Sequence, residues 1–458
     1  LLEKQKYMSQ ELNLISAIDI GSTKVVAVVG RKHPSGLLEV LGIEKVPCTG
    51  VKRGAVLNIE ETARSIQQAV LALEDRLGIK LSEVYASITG QHIRTMGNRS
   101  YRFIKGGSVI STFDVEQLLQ DSYRIVLEPD EKILHVIPQD YIVDHESGIK
   151  KSPEGYSGQK IEGNFHVVIG RSTTIKNLEK CIERAGLRLN GLILSSLASS
   201  DSVLSDEEKE AGVVMVDIGG GTTDLALFHD GILRYTAVIP FGGNVITSDI
   251  KEGCAILYKQ AEALKTRFGS ALGTLAREDA LVTIPGIPGW EPKEISFKSL
   301  ACIIQARMEE IIELIIHHME RSGFYDKLGA GIVLTGGGAR LNHLSELTKL
   351  KTGLDVRIGN SSRAFSTEEK DALNDPSLVT AIGLMMSAGK YPGSTIVTRE
   401  QVLFEDMPPE ETTGKKKKSS GNKSKKSKKS KKTEFTGDLF EKIQRNFASI
   451  FDERDTEM

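Results

Sequence analysis

The feature that most constrains this chain is a pattern that occurs twice. Leu14-Ile15-Ser16-Ala17-Ile18-Asp19-Ile20-Gly21-Ser22-Thr23 and Val213-Val214-Met215-Val216-Asp217-Ile218-Gly219-Gly220-Gly221-Thr222-Thr223 each run an apolar strand into Asp-Ile-Gly and a turn of small residues. A second apolar run follows each turn, Val25 to Val29 in one and Leu225 to Phe228 in the other. Both read as β-hairpins, and the distance from Asp19 to Asp217, 198 positions, suggests two halves built on one plan. A turn of glycines and hydroxyls has no Cβ to block an approaching anion, and its successive N–H groups can point at a phosphate. Neither turn is decisive alone, because a plain hairpin that uses glycine for positive φ has the same residues. Two turns on facing lobes could grip a nucleotide's phosphates while Asp19 and Asp217 hold Mg²⁺ through water, since Mg²⁺ gives up its water shell reluctantly.

A third element strengthens that reading. Ile332-Val333-Leu334-Thr335-Gly336-Gly337-Gly338-Ala339-Arg340 is a buried-type strand running into three glycines, where a purine or ribose could rest on bare backbone. A triple glycine after a strand is seldom needed for packing alone. The chain has neither GxxxxGK[ST] nor the protein kinase signature set, so P-loop and kinase readings fail.

Length and composition set the frame. A chain of 458 residues is long enough for two or three domains, and short apolar runs alternate with helical patterns from Leu14 to about Gly393, which indicates an α/β body. No stretch approaches the roughly 20 apolar residues of a spanning helix. Leu1 to Leu14 lack the apolar run of a secretory signal, and Met8 is a candidate start, so a cytoplasmic protein is expected. Cys48, Cys181, Cys254 and Cys302 are scattered without a metal-ligand spacing, which predicts buried, reduced thiols and no metal on cysteine. The net charge of −2 hides two unlike parts: Lys415 to Lys432 holds eleven lysines and no acid, leaving a formal −13 on the rest.

That lysine run, with Pro408 and Pro409 before it, cannot bury enough apolar surface to fold and reads as a linker spanning about 35 Å or more. Beyond it, Leu439, Phe440, Ile443, Phe447, Ile450 and Phe451 fall along one helical face. Such a helix could lie in the headgroup region of a membrane or dock in a protein groove. Its own charges nearly cancel, and the neighbouring lysines supply attraction to an anionic membrane surface at about 1 kcal/mol each. The run lacks interleaved aromatics for base stacking, so no specific nucleic acid is expected.

The motifs Asp19 to Lys24, Asp217 to Asp224 and Leu334 to Arg340 resemble, in order and spacing, the phosphate and adenosine motifs of the actin, sugar kinase and DnaK-type chaperone superfamily. Within it, Phe241-Gly242-Gly243-Asn244-Val245-Ile246-Thr247-Ser248-Asp249-Ile250, Ala261-Glu262-Ala263-Leu264-Lys265, Leu134-His135-Val136-Ile137-Pro138-Gln139, Ser157-Gly158 and Leu197-Ala198-Ser199-Ser200 are similar to the FtsA family of bacterial cell division proteins. The resemblance covers roughly residues 12 to 390. It implies an α/β, two-lobed actin-like ATPase fold with an FtsA-type inserted subdomain. It also implies an ATP and Mg site that takes Asp19, Gly21, Ser22, Thr23, Lys24, Asp217, Gly219, Gly220, Gly221, Thr222, Thr223, Asp224, Gly242, Gly243, Asn244, Glu262, Lys265, Gly336, Gly337, Gly338 and Arg340.

The domains implied are a first-lobe core at 10–90 and 171–212, an inserted subdomain at 91–170, a second-lobe core at 213–252, a small subdomain at 253–329, and the end of the second lobe with the return to the first at 330–395. A linker at 396–437 and an amphipathic membrane helix at 438–452 follow. In the family the insertion mediates head-to-tail contacts between subunits, and the small subdomain receives the C-terminal peptide of the tubulin-like FtsZ. Arg307 is a candidate contact for that peptide, with a solvated helix charge as the plainer reading. His135 reads as a half-buried strand residue, and Asp249 and Glu262 also fit as helix-surface acids.

The function implied is a division protein that binds ATP, assembles with itself and with other divisome proteins, and anchors the FtsZ ring to the cytoplasmic face of the cell inner membrane at the septum. At most weak ATPase activity is implied, and no catalytic residue is assigned. The alternative is a superfamily phosphotransferase acting on a small metabolite, for which the sequence offers no specific general-base Asp between the lobes. A chaperone would need a peptide-binding domain after the body, and too few residues follow. A cell-shape filament protein of this fold would lack the insertion and the tail.

Overall fold

The structure is a computed structural model that describes residues 14–391, apart from 34–37, 105–108, 151, 278, 287–290, 362–364 and 367–369. The chain divides into two units, 1–399 and 400–458, and the second lies outside the described residues, as do the expected linker and C-terminal helix.

Two sheets share one topology. In the first, the hairpin Leu14–Ile20 and Lys24–Lys32 pairs antiparallel from Leu14 opposite Arg31 to Ile20 opposite Val25. Leu38–Pro47 extends it antiparallel on one side, and Glu83–Ile88 and then Arg188–Leu194 extend it in parallel on the other. In the second, the hairpin Val213–Ile218 and Thr223–His229 is flanked antiparallel by Ile232–Ile239, and in parallel by Gly331–Thr335 and Val356–Ile358. The order third, second, first, fourth, fifth recurs in both. The repeated Asp-Ile-Gly hairpin therefore opens two copies of one architecture.

The strands of both hairpins are rich in Val and Ile because both sheet faces are covered. On the first sheet the 19-residue helix Ile59–Leu77 buries Ile66, Ala69 and Leu73, and Val379–Ser387 covers the opposite face with Ala381, Ile382 and Met385. Asn58 caps the former by accepting from the Glu61 amide, and Gly78 ends it at φ 65°. The helix Ser195–Val203 is buried at every residue and contacts strands of both sheets. Its run of serines and Ala198 is what lets it fit there. Gly383 crosses it so closely that a Cβ would strike the Ala198 carbonyl.

Each half carries an insertion. Between Glu83–Ile88 and the helix Ser172–Arg184 lies a four-stranded sheet ordered Ile93–Phe103, Lys160–Arg171, Glu131–Val143, Glu146–Ile149, with the helix Thr112–Asp121 packed against it around Leu118 and Phe165. Between Ile232–Ile239 and Gly331–Thr335 lie the helices Gly243–Cys254 and Tyr258–Phe268, the strand pair Leu281–Ile284 and Lys293–Ser296, and the 26-residue helix Phe297–Ser322. That last helix is held by Ser296, whose hydroxyl accepts from the Ser299 amide, and its apolar stripe from Leu300 to Met319 faces the second sheet's core.

Two expectations are corrected. His135 is fully buried, because its strand in the inserted sheet packs there against the first-lobe strand Arg188–Leu194, whose Leu194 amide donates to His135 Nε2 at 3.1 Å. Cys48 and Cys181 are buried, but Cys254 is half-exposed and Cys302 is exposed, since Cys302 falls off the apolar stripe of its helix. All four are free thiols.

Candidate nucleotide site

The two hairpin turns are closed by the same bond: the Gly21 amide donates to the Lys24 carbonyl at 3.0 Å, and the Gly219 amide to the Thr222 carbonyl at 2.9 Å. They face each other. A Cβ on Gly220 would strike the Thr23 side chain and one on Gly221 the Ser22 hydroxyl, so these glycines permit turn-to-turn contact across the lobes. Arg53 and Gly54 close the first turn from the side, the Gly54 amide donating to Ser22 Oγ at 3.3 Å and the Arg53 guanidinium lying 5.7 Å from the Phe241 ring centroid.

Three carboxylates converge behind the turns. Asp19 Oδ1 accepts from Ser87 Oγ at 2.7 Å. Asp217 Oδ2 accepts from Ser199 Oγ at 2.7 Å and Thr380 Oγ1 at 2.8 Å. Asp224, opposite Asp217 in the strand register, accepts from Thr222 Oγ1 at 3.0 Å and, across the lobes, from Thr89 Oγ1. Burial pushes all three carboxyls up, Asp224 to about 7, and the charge of Asp217 adds to the rise at both of the others. Lys24 answers them from the same end; burial lowers its ammonium, the charge of Asp19 opposes that, and its Nζ donates to the Ser377 carbonyl at 2.5 Å.

The wall beyond the second turn begins at Gly242. The Gly243 and Asn244 amides donate to the Gly219 and Gly220 carbonyls at 2.9 and 2.8 Å, so the start of the helix Gly243–Cys254 braces the turn. Lys265 Nζ donates to the Gly243 carbonyl at 2.8 Å, and to Thr247 Oγ1 and Glu262 Oε2 at 2.7 Å each. Thr223 Oγ1 donates to the Phe241 carbonyl at 2.9 Å.

At the third motif, Gly336 adopts φ 82° and a 3₁₀ turn spans Gly337–Arg340. Two of its glycines are needed for packing, against expectation: a Cβ on Gly336 would meet Asp217 and the Ile218 backbone, and one on Gly338 the Ile218 side chain. Only Gly337 presents open backbone, with nothing nearer than Ser377 Cβ at 3.9 Å from its Cβ position. Arg340 is largely exposed, with Nη1 3.6 Å from Asp375 Oδ2. Arg307 lies in the second insertion, where its Nε and Nη2 donate to Asp249 at 2.6 and 3.0 Å and its Nη1 to Glu310 at 2.5 Å.

The structure thus joins Asp19 to Lys24, Asp217 to Asp224, Gly242 to Asn244, Glu262, Lys265 and Gly336 to Gly338 through direct contacts around the facing turns. It adds residues that the sequence did not point out: Ser87, Thr89, Ser377 and Thr380. Ser87 and Thr89 had a usable signal, hydroxyls at the end of an apolar strand.

Two lobes of one topology, each turning an Asp-Ile-Gly hairpin toward the other, define an actin-like ATPase fold. The same fold appears in a solved PilM–PilN type IV pilus biogenesis complex, with a TM-score of 0.57 at 15% identity, covering 81% of this chain and 97% of that one. A family model described as cell division protein FtsA matches residues 214–383, and one described as the SHS2 domain inserted in FtsA matches residues 90–169. The cell division protein FtsA of Pseudomonas aeruginosa is 37% identical over 377 residues, 82% of this chain and 89% of that protein. That of Escherichia coli K12 is 35% identical over 379 residues, 81% of this chain and 89% of that protein. The chain belongs to the FtsA family, and its role lies in cell division.

Proposed function

We propose that this chain binds ATP with Mg²⁺ between its lobes, assembles with itself, and ties FtsZ polymers to the cytoplasmic face of the membrane at the division site. The observation that carries the nucleotide part is the pair of facing turns with Asp19, Asp217 and Asp224 behind them and Lys24 alongside. The donor set suits a hard cation: Asp19 Oδ2 and Asp217 Oδ1 have no protein donor among the described residues, and Mg²⁺ prefers oxygen. No group of three or more His, Cys, Asp or Glu able to hold a metal occurs among the described residues, so Mg²⁺ would take most of its ligands from water and phosphate. When bound, it would neutralise phosphate charge. Asp19 and Asp217 would hold its waters, the turn amides would orient the phosphates, and Glu262 and Lys265 would face the nucleoside.

Among the described residues no helix is long and apolar enough to cross a membrane. The anchor in this reading is the amphipathic face of Leu439, Phe440, Ile443, Phe447, Ile450 and Phe451, with the lysine run as second signal. Many copies on one polymer raise the effective concentration of the rest, so assembly and attachment reinforce each other.

Co-sedimentation with anionic liposomes tests this, with and without Mg·ATP and with an FtsZ C-terminal peptide on a soluble carrier. The expected result is recruitment of the carrier through this protein, lost on deleting 438–458 while ATP binding stays intact. Pelleting of the truncated protein with lipid refutes the anchor, and lipid binding without carrier recruitment refutes the adaptor.

A further inference from the structure

Where the inserted subdomain meets the second lobe, the fold forms a cavity of about 230 Å³ that is open to solvent on the Arg321 side. One wall is the start of the strand Ile93–Phe103, with Arg94 and Thr95; another is the end of the first-lobe strand Arg188–Leu194. The opposite wall is the edge strand Ile232–Ile239, with Tyr235 and Thr236, and the last turn of the helix Phe297–Ser322 contributes His318 and Arg321. The junction is fastened beside the cavity. Thr95 Oγ1 donates to the Thr236 carbonyl at 3.3 Å, His166 Nε2 and Thr236 Oγ1 share a buried bond of 2.8 Å, and Gln139 Nε2 donates to the Leu233 carbonyl at 2.8 Å.

The lining holds two arginines and a histidine and no carboxylate. Arg94 is already engaged by Glu131, at 2.5 and 2.6 Å, and Tyr235 Oη shares a 2.9 Å bond with His318 Nδ1. Arg321 has no ion pair or hydrogen bond among the described residues. An unspent guanidinium in a lining without acids is complementary to oxyanions, which arginine binds bidentately. The volume lies below the roughly 300–1,000 Å³ of pockets for drug-sized ligands, which limits the occupant to a small anion.

We propose that this cavity binds a small carboxylate- or phosphate-bearing ligand, with Arg321 as its charge partner, and that the bound anion bridges the inserted subdomain to the second lobe. The bridge follows from the walls, because Arg94 Nη1, which among the described residues meets only Met96 Sδ at 3.8 Å, and the guanidinium of Arg321 come from opposite sides of the junction. This site is separate from the paired turns and does not depend on nucleotide binding.

The test is isothermal titration of the full-length protein with inorganic phosphate and, separately, with succinate, which distinguishes the two anion sources. The expected result is binding of at least one anion, weakened about tenfold or more by Arg321→Gln and by Arg321→Glu, and unchanged when Mg·ATP is present. Amide exchange around Thr95 and Thr236 should slow when that anion binds. Arg321 is exposed on its helix and without a partner, so both variants should fold, which circular dichroism verifies. Absence of binding at millimolar anion overturns the proposal. So does binding that Mg·ATP displaces and Arg321→Gln spares, which would place the anion between the turns. Binding without slowed exchange overturns the bridge.

Discussion

Asp224 offers the sharpest quantitative test. Its carboxyl is buried beside Asp217 and pushed up from 3.8 to about 7, first by burial and then by that neighbouring charge. The folded value lies above the unfolded one, so between pH 4 and 7 the folded protein keeps a proton that the unfolded chain releases. Stability therefore falls as pH rises through this window, and the full loss is present above pH 7. The gap from 3.8 to about 7 corresponds to an upper bound of about 4 kcal/mol. Asp224→Asn removes the ionisation but keeps a polar group between the Thr89 and Thr222 hydroxyls. Without nucleotide or divalent cation, the variant should melt higher than the parent at pH 8, and the difference should close as pH falls toward 4. Asp19 and Asp217 are present in both proteins, so their own titration largely cancels in the comparison. Melting followed by circular dichroism at stepped pH reads this out. A pH-independent difference, or a variant less stable at pH 8, would refute the reasoning. Mg·ATP should narrow the gap if the carboxylate faces bound cation.

Gly220→Ala places a Cβ against Thr23 and forces the two turns apart. It should weaken ATP affinity about tenfold or more, some 1.4 kcal/mol, with secondary structure intact, as measured with a fluorescent ATP analogue; unchanged affinity would show that nucleotide does not bind between the turns. Arg307→Ala breaks a half-buried bidentate pair with Asp249 and should lower stability by about 1 kcal/mol in urea melts. Because Nε, Nη1 and Nη2 are all engaged within the fold, FtsZ-peptide binding should persist in this variant, and its selective loss there but not in Asp249→Asn would assign Arg307 to the peptide.

The hairpins were legible because alternation, Asp-Ile-Gly and small-residue turns are local signals. Their recurrence also carried the twin topology, since a strand order repeats when its opening motif repeats. The hydroxyl shell around the carboxylates was not legible. Ser87 reaches Asp19 from 68 positions away, Thr380 reaches Asp217 from 163, and Lys24 reaches the Ser377 carbonyl from 353, distances that no local pattern encodes. The glycines illustrate the same limit: Gly220, Gly221, Gly336 and Gly338 read as bare backbone for a ligand, yet each is required where another element approaches. Cys302 and Arg307 depended on helix rotation and on a partner helix, Gly243–Cys254, that sequence spacing alone does not position.

The strand Ile232–Ile239 joins the site to the insertion. On one edge it pairs with Thr223–His229, which carries Asp224; its chain continues through Pro240 and Phe241 into the Gly242–Asn244 brace behind the second turn. On its other edge Thr95, Gln139 and His166 of the inserted subdomain hold its backbone and Thr236. The insertion belongs by connectivity to the first lobe, so this edge attaches the lobes in addition to the facing turns and the helix Ser195–Val203. Packed strands shift as units between discrete arrangements rather than bending continuously. A change at the second turn should therefore reach the strand that the insertion grips, and separating the turns should strain that grip. That strand therefore meets both the turns and the insertion, and a perturbation at either acts on the same element.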